Sequence, residues 1–273
     1  MKKIVIQHAF LSFILLLSAC KNPELYENDP LSQLISRVHG QSLLSYHDDL
    51  SVLKDKDDLM LLRNSIYARH GLTFQSKLVS EYFGKCKWYT PHLKNVDNLL
   101  TEEDKSNIRE IQYAESVLEI KRRVKAGDVN YGDPLSANEQ SMLGIWHVMP
   151  MMPSGWSETY AFYSNRKVIE RPSSLDCASR MVCRIGNWRI KDNVLMIAFT
   201  VKAHIVGGRY VESAGSCASD TELVEGRVVV SSINDSEVFP VTAASYDKQY
   251  SRYVVLLNGR KFWKYDENPD AYY

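Results

Sequence analysis

A switch of hydrophobic period part-way along the chain constrains its fold more than any other feature. From Asp55 to about Lys125 the apolar residues recur three and four apart, the spacing of one helix face. From Leu143 onward they alternate in short runs divided by Gly, Asn, Asp and Ser, the spacing of half-buried strands. The expected fold class is therefore α+β: a small α-helical domain over residues 55–126, then an antiparallel all-β barrel or sandwich domain over residues 138–266. Gly127-Asp128, Gly132-Asp133-Pro134 and Ser136 punctuate the join and mark residues 127–137 as a linker. Residues 20–54 read as a tether with one short helix, Leu31, Leu34, Ile35 and Val38, stopped by Gly40. Residues 267–273 read as an exposed, mobile tail.

Local signals place the element ends. Asp57 and Asp58 suit a helix start, Leu59, Leu62 and Ile66 follow at helical spacing, and Gly71 offers the left-handed stop. Phe74, Leu78 and Tyr82, with Val79 and Phe83 alongside, form the face of a second short helix, and Trp88, Tyr89 and Pro91 continue as an extended segment. Thr101-Glu102-Glu103-Asp104 sets a hydroxyl cap and three acids before a long helix striped by Ile108, Ile111, Val117, Leu118 and Val124. Beyond it the alternation predicts strands at about 143–149, 158–164, 166–171, 181–190, 193–205, 209–213, 221–231, 237–243, 251–257 and 260–265. Asn258-Gly259 and Asp192-Asn193 are hairpin turns by composition. The Gly144-x-Trp146 step resembles the start of lipocalin-like barrels, which implies an interior able to hold an apolar ligand. Small barrels are more often filled by their own side chains.

At the other end, Lys2 and Lys3 precede an apolar stretch from Ala9 to Leu17 that is shorter than the roughly 20 residues a spanning helix needs. A charged start, an apolar middle and the small residues Ser18 and Ala19 read as a signal peptide over residues 1–19. Leu17-Ser18-Ala19-Cys20 resembles the lipobox of bacterial lipoproteins. That resemblance implies cleavage before Cys20 and acylation of it; at ~0.8 kcal/mol per buried methylene, two or three acyl chains anchor stably. Lys21, where an Asp would favour the inner membrane, points to the outer one. Losing Lys2 and Lys3 leaves 31 basic residues against 33 acidic ones. A near-neutral body without a basic block excludes nucleic acid as the expected partner.

Within the helical region stand Leu62-Arg63-Asn64-Ser65-Ile66-Tyr67-Ala68-Arg69-His70-Gly71, then Phe74, Leu78, Tyr82-Phe83 and Trp88-Tyr89-x-Pro91. Residues 55–125 resemble the YARHG domain, a small extracytoplasmic module whose motif is Tyr67 to Gly71 here. The resemblance implies a bacterial, exported protein related to the membrane or the cell wall, in a family with no established catalytic activity. Cys86, between Phe83 and Trp88, is outside the family's pattern. The motif has two physical readings. In one it is a folding device: His70 satisfies helix-terminal carbonyls, and Arg69 meets Glu81, Asp97 or Asp104. In the other, Arg63, Tyr67, Arg69, His70, Trp88 and Tyr89 line a groove for an anionic or sugar-containing wall fragment.

Enzymatic signatures are missing from the sequence. It holds no Gly-x-Ser-x-Gly elbow and no Walker or dinucleotide glycine loop. His39, His47, His70, His92, His147 and His204 lack zinc-ligand spacing, and the acidic clusters around His47 and Asp57 do not continue as calcium loops. No metal or cofactor is expected. With Cys20 acylated, Cys86, Cys177, Cys183 and Cys217 remain, which allows three pairings; Cys177 with Cys183 is one candidate and free buried thiols are another. The expected function is non-enzymatic: an envelope lipoprotein that binds or scaffolds, with cell-wall fragments or envelope proteins as partners. A carrier of an apolar small molecule in the β domain is the alternative.

Overall fold

The computed structural model describes residues 29–125, 133–152, 156–213, 215 and 217–271. The predicted signal peptide, Cys20 and most of the predicted linker lie outside the described residues. The chain divides after Leu118 into two compact units.

The first unit is helical. Its α1, Pro30–His39, begins where the Asp29 carboxylate accepts the Ser32 N–H at 3.0 Å, with Pro30 in the first turn, and stops where Gly40 N–H reaches Ser36 O. Leu31, Leu34, Ile35 and Val38 are all buried in the same core as Leu59, Leu62 and Ile66 of α2, Lys56–Arg69. The tether expected over residues 20–54 is thus corrected: from Pro30 the chain belongs to the folded unit, with Leu44, Leu50 and Leu53 buried there as well. At 1.5–3 kcal/mol per buried aliphatic side chain, α1 alone contributes on the order of 8 kcal/mol of gross burial. That rivals the net stability of a domain.

Helix α2 is buried on most sides, since Leu61, Ser65 and Ala68 join the expected face, and its N-terminus is capped by Asp55. In α3, Lys77–Phe83, the core residues are Val79, Tyr82 and Phe83, while Leu78 is turned partly outward. Helix α4, Glu102–Lys125, starts with a reciprocal cap: Thr101 N–H donates to Asp104 Oδ2 at 3.1 Å and Asp104 N–H to Thr101 Oγ1 at 3.2 Å. Its Ile108 and Ile111 complete the first core.

The second unit holds the last turns of α4, the short α5, Ala137–Met142, and one antiparallel sheet. Its nine strands are β1 Gly144–His147, β2 Thr159–Phe162, β3 Lys167–Arg171, β4 Met181–Lys191, β5 Val194–Glu212, β6 Thr221–Pro240, β7 Ser245–Asp247, β8 Arg252–Leu257 and β9 Arg260–Asp266. They lie in the order β6-β5-β4-β3-β2-β1-β9-β8-β7. The sheet is not closed into a barrel: β6 and β7 remain as edges, and one bridge, Val241 to Leu257, joins the segment after β6 to β8.

Both faces are covered. Trp146, Phe162, Trp188, Phe199 and Phe262 fill one, and Ile145, Ile169, Ile185 and Val201 pack with Ile120 and Val124 of α4 on the other. Phe199 and Val201 fall on opposite faces because the ladder shifts register between them. Glycine is required at Gly144, where φ is +106° and a Cβ would stand 2.3 Å from Asp266 O.

Two predicted strand breaks are absent. The runs 193–205 and 209–213 form the single strand β5, because the ladder continues through the glycines with Gly207 opposite Gly226 and Arg209 opposite Val224. Likewise 221–231 and 237–243 merge into β6, and β7 was not anticipated. Both hairpin turns are present, with positive φ at Asp192, Asn193, Asn258 and Gly259. In the described part of the tail, Tyr163 Oη donates to Pro269 O at 3.2 Å and Lys264 pairs with Glu267.

Strand β4 stops pairing with β5 at His204, so the remainder of the β5–β6 hairpin runs on as a two-stranded arm. Its end is tied to the segment before β4 by a Cys177–Cys217 disulfide, with Ala218 N–H on Leu175 O and Leu223 N–H on Cys177 O. The Cys177–Cys183 candidate is therefore wrong. Cys183 lies within β4 with its side chain wholly in the core beside Ile185 and Ala203, where Cys177 cannot reach it.

Candidate functional site

Of the six residues predicted to line a groove in the helical unit, most are turned to partners within the unit. Arg63 pairs with Glu115 of α4 at 3.3 Å, and the partly buried Tyr67 packs on the core one turn further along α2. Burial raises the pKa of Glu115, against the lowering effect of Arg63. Arg69, six residues and about 9 Å along the helix from Arg63, donates to Val38 O at 2.6 Å and His39 O at 3.1 Å and pairs with Asp104. His70 Nε2 meets the other oxygen of Asp104 at 2.9 Å. Tyr89 donates inward to Leu72 O at 2.7 Å. Only Trp88 is substantially exposed, at 42%, its ring edge-on to His39 and to Phe83.

Asp104 is the hub that binds this motif together. Its carboxylate is 1% exposed and receives Arg69, His70 and Thr101 N–H. Burial alone would push its pKa up; these three hydrogen bonds outweigh burial and hold it below the usual carboxylate range. One turn on, Asn107 accepts Leu44 N–H and donates to Ser42 O, so α4 grips the segment after α1 as well. His39 Nε2 lies 3.2 Å from Ser65 O, and burial first, then Arg69 and His70, lower its pKa against Ser65 and Asp104. Sequence reasoning missed His39 and Asn107. The available signal was the pair of polar side chains, Asp104 and Asn107, three apart in the helix face that carries Ile108 and Ile111.

The motif's glycine follows from the same geometry. Gly71 has φ +85°, and a Cβ there would stand 2.3 Å from His92 Cε1. Its carbonyl accepts both His92 N–H and Leu93 N–H at 2.9 Å, turning the chain back under the end of α2. Each residue from Tyr67 to Gly71 thus has an intramolecular task.

The second unit offers a concave site. Between β6 and the β8–β9 turn lies a cavity of about 490 Å³, floored by Tyr160, Phe239, Leu257 and Phe262 and rimmed by Glu158, Glu170, Glu237 and Arg260. Arg184, beside it, pairs with Glu170, Asp235 and Glu237 at once and lies 4.0 Å over the Phe199 ring. Arg260 grips Glu158 through both guanidinium nitrogens at 3.0 and 3.2 Å. Burial, then the Glu170, Glu237 and Glu158 charges, push the Tyr160 hydroxyl far up in pKa, so it keeps its proton. The interior behind this floor is solid: Trp146, Trp188, Phe162 and Phe199 are at most 1% exposed.

Two further polar groups belong to structure. Glu139, a buried residue of α5, is held at about 2: burial opposes ionisation, and Arg166, Ile190 N–H and Ser136 overcome it. His147, opposite Thr159 in the sheet, is fully buried, and burial and Arg252 lower it to about 4, so its ring is neutral. Among the described residues the group with metal-ligand spacing is Cys177, Cys217 and Glu222, and its sulfurs are consumed in the disulfide.

Residues 41–116 match the family model of the YARHG domain. That span begins earlier than the predicted 55 and takes in the Ser42–Leu44 segment that Asn107 holds. No curated protein and no solved structure matches the chain. Among the described residues no helix is long and apolar enough to cross a membrane.

Proposed function

We propose that the chain is an exported, lipid-anchored protein of the bacterial cell envelope that binds or scaffolds at the cell wall or outer surface and performs no catalysis. Leu17-Ser18-Ala19-Cys20 supports the anchor, and the YARHG domain, a module of extracellular and periplasmic proteins, supports the address. The observation that carries the scaffolding role is the full engagement of Arg69, His70 and Asp104 with one another and with the carbonyls ending α1. A base held between a buried carboxylate and an arginine serves packing. Trp88, exposed beside His39, is then the aromatic face left for a partner. Two measurements test the reading. Cys20→Ala should move the protein from the membrane to the soluble fraction; retention in the membrane rejects the anchor. The chain from Lys21 onward should sediment with purified sacculi above a control protein, and Trp88→Ala should weaken that; no sedimentation rejects wall binding.

A second reading is favoured by the cavity in the sheet unit: the protein holds a small molecule there. The solid interior argues against a ligand enclosed as in a closed barrel, and for one bound at the surface opening.

A further inference from the structure

We propose that the opening between β6 and the β8–β9 turn takes a small organic cation, an ammonium group carried on a flat apolar body; this rests on the small-molecule reading above. Its volume, about 490 Å³, falls within the range that encloses small ligands. The floor is aromatic, with Tyr160 and Phe262 rings 5.5 Å apart in an edge-to-face pair, which suits a flat apolar group.

The charge decides the rest. Four carboxylates, Glu158, Glu170, Asp235 and Glu237, gather around two guanidiniums, Arg184 and Arg260. Both arginines are already engaged, Arg184 by three acids and Arg260 bidentately by one, so an anion would have to displace a bound carboxylate. A neutral apolar ligand would strip water from the acidic rim and give nothing back. An ammonium supplies the missing positive charge, and its donors meet the lone pairs that one arginine cannot satisfy on three carboxylates. Aromatic rings flank the place where it would stand, as they already flank Arg184 and Arg260. Tyr160, whose hydroxyl lies 3.4 Å from Glu237 and keeps its proton, stands at the junction of floor and rim.

The test titrates the ¹⁵N-labelled chain from Lys21 onward with benzylammonium, benzyl alcohol and benzoate, following the amides of Glu237, Leu257 and Phe262. Benzylammonium is expected to bind about tenfold more tightly than benzyl alcohol, and benzoate least. Glu237→Gln should weaken benzylammonium about tenfold while leaving benzyl alcohol unchanged. If that variant loses its sheet, Glu158→Gln makes the same comparison from the Arg260 side. Equal binding of benzylammonium and benzyl alcohol, or tighter binding of benzoate, overturns the cation assignment and leaves the small-molecule reading standing. Absence of any shift with all three probes overturns both.

Discussion

Replacing Gly71 with alanine isolates what the motif's glycine does. An L-residue at φ +85° costs roughly 1–2 kcal/mol relative to glycine. The added methyl would also lie 2.3 and 2.5 Å from two atoms of the His92 ring, so the ring must swing away and give up its 2.8 Å contact with Thr90 O. His92 is exposed, so that loss belongs at the low end for a hydrogen bond, about 0.5 kcal/mol. The total is about 2 kcal/mol, on the order of 10 °C for a domain of this size. Amide exchange of Ile66 and Ala68 in α2, with thermal unfolding alongside, measures it within the helical unit. His92→Ala is the control, because Gly71→Ala in that background should retain the backbone cost and lose the steric one. A coupling of about 0.5 kcal/mol between the two sites follows. The reasoning is refuted if Gly71→Ala is nearly neutral, or if the two substitutions are strictly additive.

Asp104→Ala should cost about 3 kcal/mol or more, since it leaves Arg69 and His70 against an empty buried site; chemical unfolding of the helical unit measures this. Because the folded Asp104 pKa is depressed, its contribution is complete above the ordinary carboxylate value near 4 and is lost as pH falls through the lower folded value; an acid titration monitored at α2 amides should show the loss in wild type and not in Asp104→Ala. His147 also favours the folded state at higher pH: lowered from 6.5 to about 4, it makes the sheet unit lose up to ~3 kcal/mol between those values as pH falls, and His147→Leu should flatten the profile there. Cys177→Ser with Cys217→Ser removes a cross-link spanning 40 residues, worth ~4 kcal/mol of loop-closure entropy, and should lower the melting temperature of the sheet unit while leaving α2 amide exchange unchanged.

The period change near residue 130 and the turn residues were legible because each acts through its own neighbours. Asn258-Gly259 and Asp192-Asn193 each need only the twist of two adjacent strands to become a hairpin. What the sequence concealed depends on distant partners. Arg69 could be assigned an acid, and Asp104 was among three candidates, yet nothing local separates it from Asp97; packing of α4 against α2 makes the choice. Leu31, Leu34, Ile35 and Val38 looked like a short helix in a tether because their burial depends on α2. The two long strands were divided at Gly207-Gly208 and at Asn234-Asp235-Ser236, residues that end strands in isolation and are carried here by a partner of equal length.

The Cys177–Cys217 bond imposes an order of events on the folding of this chain. Of the two partners Cys177 comes first in the chain, and the next cysteine after it is Cys183, six residues on, not the native partner 40 residues away. On chain statistics alone the short ring closes ~20-fold more readily than the long one. The native pairing is therefore selected by structure: β4 and β5 must associate and withdraw Cys183 into the sheet before the thiols are oxidised, or exchange must later undo the wrong ring. Timing of oxidation relative to strand pairing governs how much of this protein reaches the native pairing.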